Sequence, residues 1–260
     1  MRLETITRAP KKQTHKTPLL FVHGMWHGAW CWDETFLPYF AEHGYQSTAL
    51  SLRGHAGSEG KIRGNTIENY VSDVEQVASQ FDTPPAIIGH SMGGFLTQKY
   101  LETHNAPAAV LLASNPNFGL WPTFFRLAIQ RPLTLVKVTA QLRLYPVVET
   151  PEMARWTLFS KDLPKKQLLK YYKKLNDESF RMFIDLLGLN LAHPKKIKTP
   201  LLILGAQNDN AITPNQVHAT ARAYGMQAEI FPNMAHNMML ETGWKSVAKR
   251  ILDWLKERDL

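Results

Sequence analysis

Ala86-Ile87-Ile88-Gly89-His90-Ser91-Met92-Gly93-Gly94, running on into Phe95-Leu96-Thr97-Gln98-Lys99-Tyr100, is the stretch that decides the fold of this chain. It opens as a short apolar run of the kind that forms a buried strand, and it closes with helical character that reaches Glu102. Between them, Gly89-His90-Ser91-Met92-Gly93 fits the pattern G-x-S-x-G. Such a pattern occurs by chance, so its meaning comes from its place between a strand and a helix. In that setting the serine is held in a strained turn with its hydroxyl free at the C-terminal edge of a sheet. The flanking glycines leave room for neighbouring backbone. A glycine-rich turn with an incidental serine is the bland alternative, and the flanking elements make it the weaker one.

Outward from this point the same alternation continues. Leu19–Val22 reads as a buried strand ending at His23-Gly24, and residues 33–42 as a helix stopping near Gly44. Residues 46–50 read as a strand followed by the loop Arg53-Gly54-His55-Ala56-Gly57-Ser58. Asn65 with Glu68 three residues on resembles a capping box that opens a helix reaching about Gln80. Downstream, residues 108–113, 201–204 and Ala228–Phe231 read as strands, and Trp244–Lys256 as an amphipathic closing helix. Residues 3–7 are a candidate first strand. Strands alternating with helices predict an α/β fold, a mostly parallel sheet flanked by helices.

Residues 117–198 interrupt the pattern with no clear strand. Trp121, Phe124, Phe125, Ala128 and Ile129 fall at i, i+3, i+4, i+7 and i+8, one face of a helix. Leu168, Leu169, Tyr172 and Leu175 mark a second helix, and Phe180, Phe183, Ile184 and Leu187 a third. The expected organisation is therefore a core of residues 1–116 and 199–260 with a helical insertion at 117–198. This insertion carries 15 Lys and Arg against 6 Asp and Glu, whereas the rest of the chain has 15 against 16. The overall charge of +8 is thus local. A solvated basic face is the ordinary reading. Weak contact with an anionic membrane surface comes next. Nucleic acid is not an expected partner, because no recognition motif accompanies the charge.

A chain of 260 residues with 44% hydrophobic content can bury a full core. No run approaches the ~18 apolar residues of a membrane span, and the N-terminal residues lack the apolar middle of a secretory signal. The single cysteine, Cys31, allows neither an internal disulfide nor a multi-cysteine zinc site. A soluble, cytoplasmic protein is the expectation.

A serine hydroxyl needs a base to become a nucleophile at neutral pH. Of ten histidines, His236 is the best placed, in the loop between the last strand and the final helix. His90 adjoins Ser91 but is expected to point away from it; His104, His193 and His218 read as surface or packing residues. Asp209 is the only acid between Asp185 and Glu229 and follows the fifth strand, just ahead of Pro214. It is the candidate to fix the tautomer of His236, with a surface loop aspartate as the competing reading. The expected oxyanion donors are the backbone N–H of Met92 and that of Met25, with Trp26 as the neighbouring alternative to Met25.

His23-Gly24, Gly89-His90-Ser91-Met92-Gly93-Gly94, Asp209 and His236, in this order, resemble the α/β-hydrolase superfamily over nearly the whole chain. His23-Gly24-Met25-Trp26-His27-Gly28-Ala29-Trp30-Cys31-Trp32 resembles the HGxxHGAWxW opening of the branch containing plant methyl esterases and hydroxynitrile lyases. Leu52-Arg53-Gly54-His55-Ala56-Gly57-Ser58 and His236-Asn237-Met238-Met239-Leu240-Glu241 resemble bacterial esterase and lysophospholipase-like members. The resemblance implies a Ser91–His236–Asp209 triad, an acyl-enzyme, and no metal or organic cofactor. Serine at position 91 disfavours haloalkane dehalogenase and epoxide hydrolase chemistry, which need aspartate there.

The resemblance also implies that residues 117–198 form a cap. Trp121, Phe124 and Phe125 would then roof an apolar pocket that Trp26 and Met238 help to line, with Met25, Met92, Met234 and Met239 near them. The bland alternative makes the aromatic stripe the cap's own core. The expected substrate is a small, uncharged, fairly hydrophobic ester. The same triad also serves thioester, amide or C–C hydrolysis and hydroxynitrile lysis, and a ligand receptor on the same scaffold is the reading from another class.

Overall fold

A computed structural model describes residues 1–260. Seven strands, β1 (Thr5–Arg8), β2 (Leu19–Val22), β3 (Ser47–Leu50), β4 (Ala86–His90), β5 (Ala109–Leu112), β6 (Leu201–Ala206) and β7 (Ala228–Phe231), form one sheet. Their order is β1-β3-β2-β4-β5-β6-β7. Every neighbouring pair is parallel except β1 with β3. Strands β2 to β6 are buried at every position, and apolar apart from Ser47 and Thr48 of β3 and His90 of β4, because helices cover both faces. Edge strand β1 is mostly exposed, and its antiparallel register, Thr5 opposite Leu50 and Arg8 opposite Ser47, places it later than residues 3–7.

Two local expectations are corrected. The helix expected over 33–42 is two helices, α1 (Trp30–Asp33) and α2 (Phe36–Glu42). The break falls at Thr35, whose hydroxyl donates to the Met239 carbonyl at 2.7 Å, a long-range bond with no local sequence signal. The capping box lies one residue later than expected, at Thr66 and Asn69 of α3 (Ile67–Ala78). Asn65 instead donates to the carbonyls of Lys61 and Ile62.

Helix α4 (Met92–Tyr100) follows Ser91 directly. Between β5 and β6 run five α-helices: α5 (Trp121–Gln130), α6 (Pro132–Gln141), α7 (Pro151–Leu158), α8 (Lys165–Tyr172) and α9 (Phe180–Ile184). Helices α10 (Pro214–Ala223) and α11 (Trp244–Lys256) complete the chain. One continuous apolar core joins the sheet to the inner faces of this insertion through Leu120, Val138, Leu144, Leu158 and Leu168. No helix is long and apolar enough to cross a membrane.

Candidate active site

Ser91 adopts φ 53° and ψ −118° between β4 and α4, a backbone region that a non-glycine residue occupies only when its surroundings hold it there. The surroundings are tight. A Cβ on Gly93 would stand 2.2 Å from the Val22 carbonyl oxygen, so the start of α4 rests directly on the end of β2. A Cβ on Gly24 would stand 2.8 Å from Ser91 Cβ, so the loop after β2 passes directly beside the serine.

Ser91 Oγ lies 2.8 Å from His236 Nε2, and His236 Nδ1 lies 2.7 Å from Asp209 Oδ2. Asp209 Oδ1 accepts from the backbone N–H groups of Ala211 at 2.7 Å and Ile212 at 2.8 Å. An ionised carboxylate only accepts, so His236 Nδ1 is the donor of its pair and Nε2 is left to accept the Ser91 proton. All three side chains are buried. The sheet topology brings them together from the ends of β4, β6 and β7.

The backbone N–H groups of Met25 and Trp26 make no hydrogen bond within the protein. That of Met92, at the first position of α4, has no acceptor in its own helix. All three are free to receive an oxyanion beside Ser91, and hydrogen bonding does not separate Met25 from Trp26.

A cavity of about 70 Å³ opens at Ser91 and His236. Met25 and Trp26 line it from the core, and Leu120, Phe124, Leu127 and Leu135 from the insertion. Trp26 and Phe124 are thus where the sequence placed them. Trp121 and Phe125 are not: they are 45% and 57% exposed and face away from the cavity. The inner face of α5 is Leu120, Thr123, Phe124 and Leu127, one residue and so about 100° round the helix from the aromatic stripe. Both faces are apolar, so periodicity alone does not choose between them. Met238 is also corrected: the loop turns back through a Met238 N–H bond to the His236 carbonyl, which sends this side chain into the core. Of the methionines expected near the pocket, Met25 alone lines it; Met92, Met234 and Met239 are buried elsewhere.

Neutral, buried histidines brace the site. His27 Nδ1 donates to the Met25 carbonyl at 2.6 Å and Nε2 accepts from Asn237 Nδ2 at 3.0 Å, tying the loop after β2 to the His236 loop. Burial pulls the His27 pKa down to about 4, which keeps Nε2 an acceptor. His90 points away from Ser91 and its Nε2 bonds the His236 carbonyl at 2.9 Å. Burial, and then the charge of His236, push its pKa well down. Arg53 pairs with Asp73, and His55 with Glu178 of the insertion, so that loop organises packing and lies outside the cavity. His193 and His218 are exposed, His104 stacks on Tyr100, and Trp32 and the Cys31 thiol are core groups.

Sequence reasoning missed the clamp between His27 and Asn237, and missed Asn115, which lines the cavity beside Ser91. For Asn115 a signal existed: Ser114-Asn115 are the first polar residues beyond β5, at the sheet edge where Ser91 stands.

The family model described as the alpha/beta hydrolase family matches residues 19–250. An uncharacterized abhydrolase domain-containing protein of Dictyostelium discoideum is 24% identical over 97% of this chain and 27% of its own length. Methylesterase 9 of Arabidopsis thaliana is 30% identical over 29% of this chain and 30% of its own length. The chain thus spans about a third or less of each of these two curated relatives. Among solved structures, an esterase of Exiguobacterium antarcticum superposes with a TM-score of 0.78 at 20% identity, covering 98% of this chain and 95% of that one. At that identity the likeness is one of fold.

Proposed function

The chain belongs to the alpha/beta hydrolase family, and on that premise we propose that it is a serine carboxylic-ester hydrolase with residues 117–198 as its cap. The observation that carries this reading is the hydrogen-bonded run Asp209–His236–Ser91, which ends at the wall of an apolar cavity. In the proposed reaction His236 Nε2 takes the Ser91 proton as Oγ attacks the ester carbonyl. The N–H groups of Met92 and Met25 hold the tetrahedral oxyanion. Collapse expels the alcohol, which receives its proton from His236. The same imidazole then activates water to release the acid from the acyl-enzyme.

A fairly hydrophobic, uncharged ester fits this cavity, since no lysine or arginine lines it. Likeness to proteins named as an esterase and a methylesterase favours an ester over a thioester, amide or C–C bond. The test is covalent labelling: a fluorophosphonate should modify Ser91, and Ser91→Ala should lose both the label and the turnover of p-nitrophenyl esters. Labelling that persists in a folded Ser91→Ala variant removes the serine from the mechanism.

Weak contact of the cap with anionic membrane surfaces belongs to the same proposal. Ile129 and Leu133, on α5 and α6, are 80% and 78% exposed. The stretch 118–143 holds Arg126, Arg131, Lys137 and Arg143 and no acidic residue. Lys137 and Arg143 pair with Glu149 and Asp177 from outside it. Apolar exposure beside basic charge favours an anionic interface.

A further inference from the structure

The polar side chains that line the cavity are accounted for, save one. His236 is engaged at both ring nitrogens. Trp26 Nε1 donates to the Leu144 carbonyl at 3.2 Å. Thr123 Oγ1 donates to the Ala211 carbonyl at 2.7 Å and is 3.1 Å from Gln216 Nε2, which donates to it. Asn115 differs. It lines the cavity, is 2% exposed, and its Nδ2 has no hydrogen-bond partner. Its Oδ1 lies 3.4 Å from Ser91 Oγ, but the one proton of that hydroxyl serves the shorter contact with His236. The amide is therefore unspent at both ends, among walls that are otherwise apolar.

The backbone beneath this amide is fixed. Asn115 N–H donates to the Ser91 carbonyl at 3.0 Å, and the Asn115 carbonyl accepts from Gln98 Nε2 at 3.0 Å and Ser114 Oγ at 2.9 Å. A rigid, unpaired amide beside the nucleophile destabilises the empty protein and rewards whatever completes it.

Building on the serine-ester reading, we propose that Asn115 is a substrate-recognition residue, and that the preferred ester carries a hydroxyl one or two carbons away from the ester group on an otherwise apolar skeleton. A hydroxyl pairs with either end of a primary amide, accepting from Nδ2 or donating to Oδ1. An all-hydrocarbon substrate leaves the amide unpaired in a closed site, the situation in which a polar pocket discriminates most strongly. A charged group has no counter-ion among the lining residues. The hydroxyl has two chemical sources: the acyl part, as in a 2-hydroxy acid ester, or the alcohol part, as in a monoester of a 1,2-diol.

Two matched pairs decide between them: methyl 2-hydroxybutanoate against methyl 2-methylbutanoate, and 2-hydroxyethyl butanoate against propyl butanoate, each followed by acid release. Within a pair a hydroxyl replaces a methyl. The hydroxyl-to-methyl ratio in kcat/KM is compared between the wild type and Asn115→Leu, so that intrinsic ester reactivity cancels. The ratio should fall about tenfold in one pair, the loss of one buried hydrogen bond, and the pair affected names the source. Fluorophosphonate labelling of Ser91 reports that the nucleophile of the variant is intact, and Asn115→Ala repeats the measurement if leucine prevents folding. Ratios unchanged in both pairs, or all four esters slowed alike, overturn the inference and leave Asn115 a brace for Ser91, with the serine-ester reading standing. If the wild-type protein hydrolyses none of the four, nor any p-nitrophenyl ester, the reading beneath fails with it.

Discussion

Phe124 and Phe125 are adjacent in sequence and opposite in consequence. Phe124 lines the cavity, its ring 6.5 Å from that of Phe183 and 5.6 Å from that of Trp121, whereas Phe125 stands largely in solvent. Phe124→Ala vacates the roof above Ser91. A phenylalanine side chain is worth about 1.5–3 kcal/mol on burial and a methylene about 0.8, so its removal is matched by roughly two to four more methylenes of acyl chain. Each methylene buried in the transition state contributes about a fourfold gain in kcat/KM. The preferred chain length among p-nitrophenyl esters should therefore lengthen by about two carbons, with a gain of about fifteenfold on the longer ester. Phe125→Ala should leave the chain-length profile within about twofold of the wild type, because its ring touches no part of the cavity. Truncating a half-buried phenylalanine costs less than the ~3–5 kcal/mol of a fully buried one, so thermal unfolding should show Phe124→Ala folded at assay temperature. An unchanged profile in Phe124→Ala, or the same lengthening in Phe125→Ala, would refute the assignment of the inner face of α5.

Asp209→Asn should lower kcat by ~10³-fold or more, since the amide no longer enforces the His236 tautomer; near-wild-type turnover would mean that another acid orients the imidazole. Burial alone would lower the His55 pKa, but the charge and hydrogen bond of Glu178 outweigh it and raise the pKa above its ordinary value of 6.5. A raised folded-state pKa contributes stability that is complete below the unfolded value and is lost as pH rises through the folded one. The melting temperature should accordingly decline as pH rises above about 6.5, and His55→Gln should flatten that decline; equal slopes in the two proteins would count against it. Binding to anionic vesicles, followed by sedimentation, should weaken with added salt and with Ile129→Ser/Leu133→Ser, while zwitterionic vesicles bind little. Equal recovery with both lipids would end the membrane proposal.

What the sequence made legible was whatever depends on short-range pattern. Apolar runs bounded by turns marked β2, β4 and β7, and the 3.6-residue period marked α11 at both ends. Ser91, Asp209 and His236 could be singled out because the serine has a local signature, the aspartate has no rival nearby, and the histidine lies in the loop between the last strand and the final helix. What stayed illegible depends on partners distant in sequence. Thr35 breaks a helix through a bond to Met239, and His27 finds Asn237, 210 positions away. The choice between Phe124 and Phe125 was illegible for another reason. Helix α5 has apolar residues on two adjoining faces, one through Trp121 and Phe125 and one through Phe124 and Leu127, and a pattern that satisfies two faces cannot say which one is inside.

The insertion does more than roof the cavity, because the loops after β2, β6 and β7 are also hydrogen-bonded to it. Asn176 N–H donates to the Trp26 carbonyl in the loop after β2. Asn237 N–H, beside His236, donates to the Leu158 carbonyl at the end of α7, and two residues on Ser160 donates to Glu241 through both its N–H and its hydroxyl. Around Asp209, Asn210 donates to the Trp156 carbonyl, and Thr123 and Arg126 donate to the Ala211 carbonyl. The sheet sets which strand ends come together, while the spacing among the loops at those ends is shared with residues 117–198. A displacement of α5 or α7 therefore reaches the His236 and Asp209 loops through bonds already made, with no need for contact with the reacting atoms. Substitutions in the insertion should consequently divide in two: those on the cavity face, such as Phe124, change which ester is chosen, and those at the clamps, such as Ser160, change how well any ester is turned over.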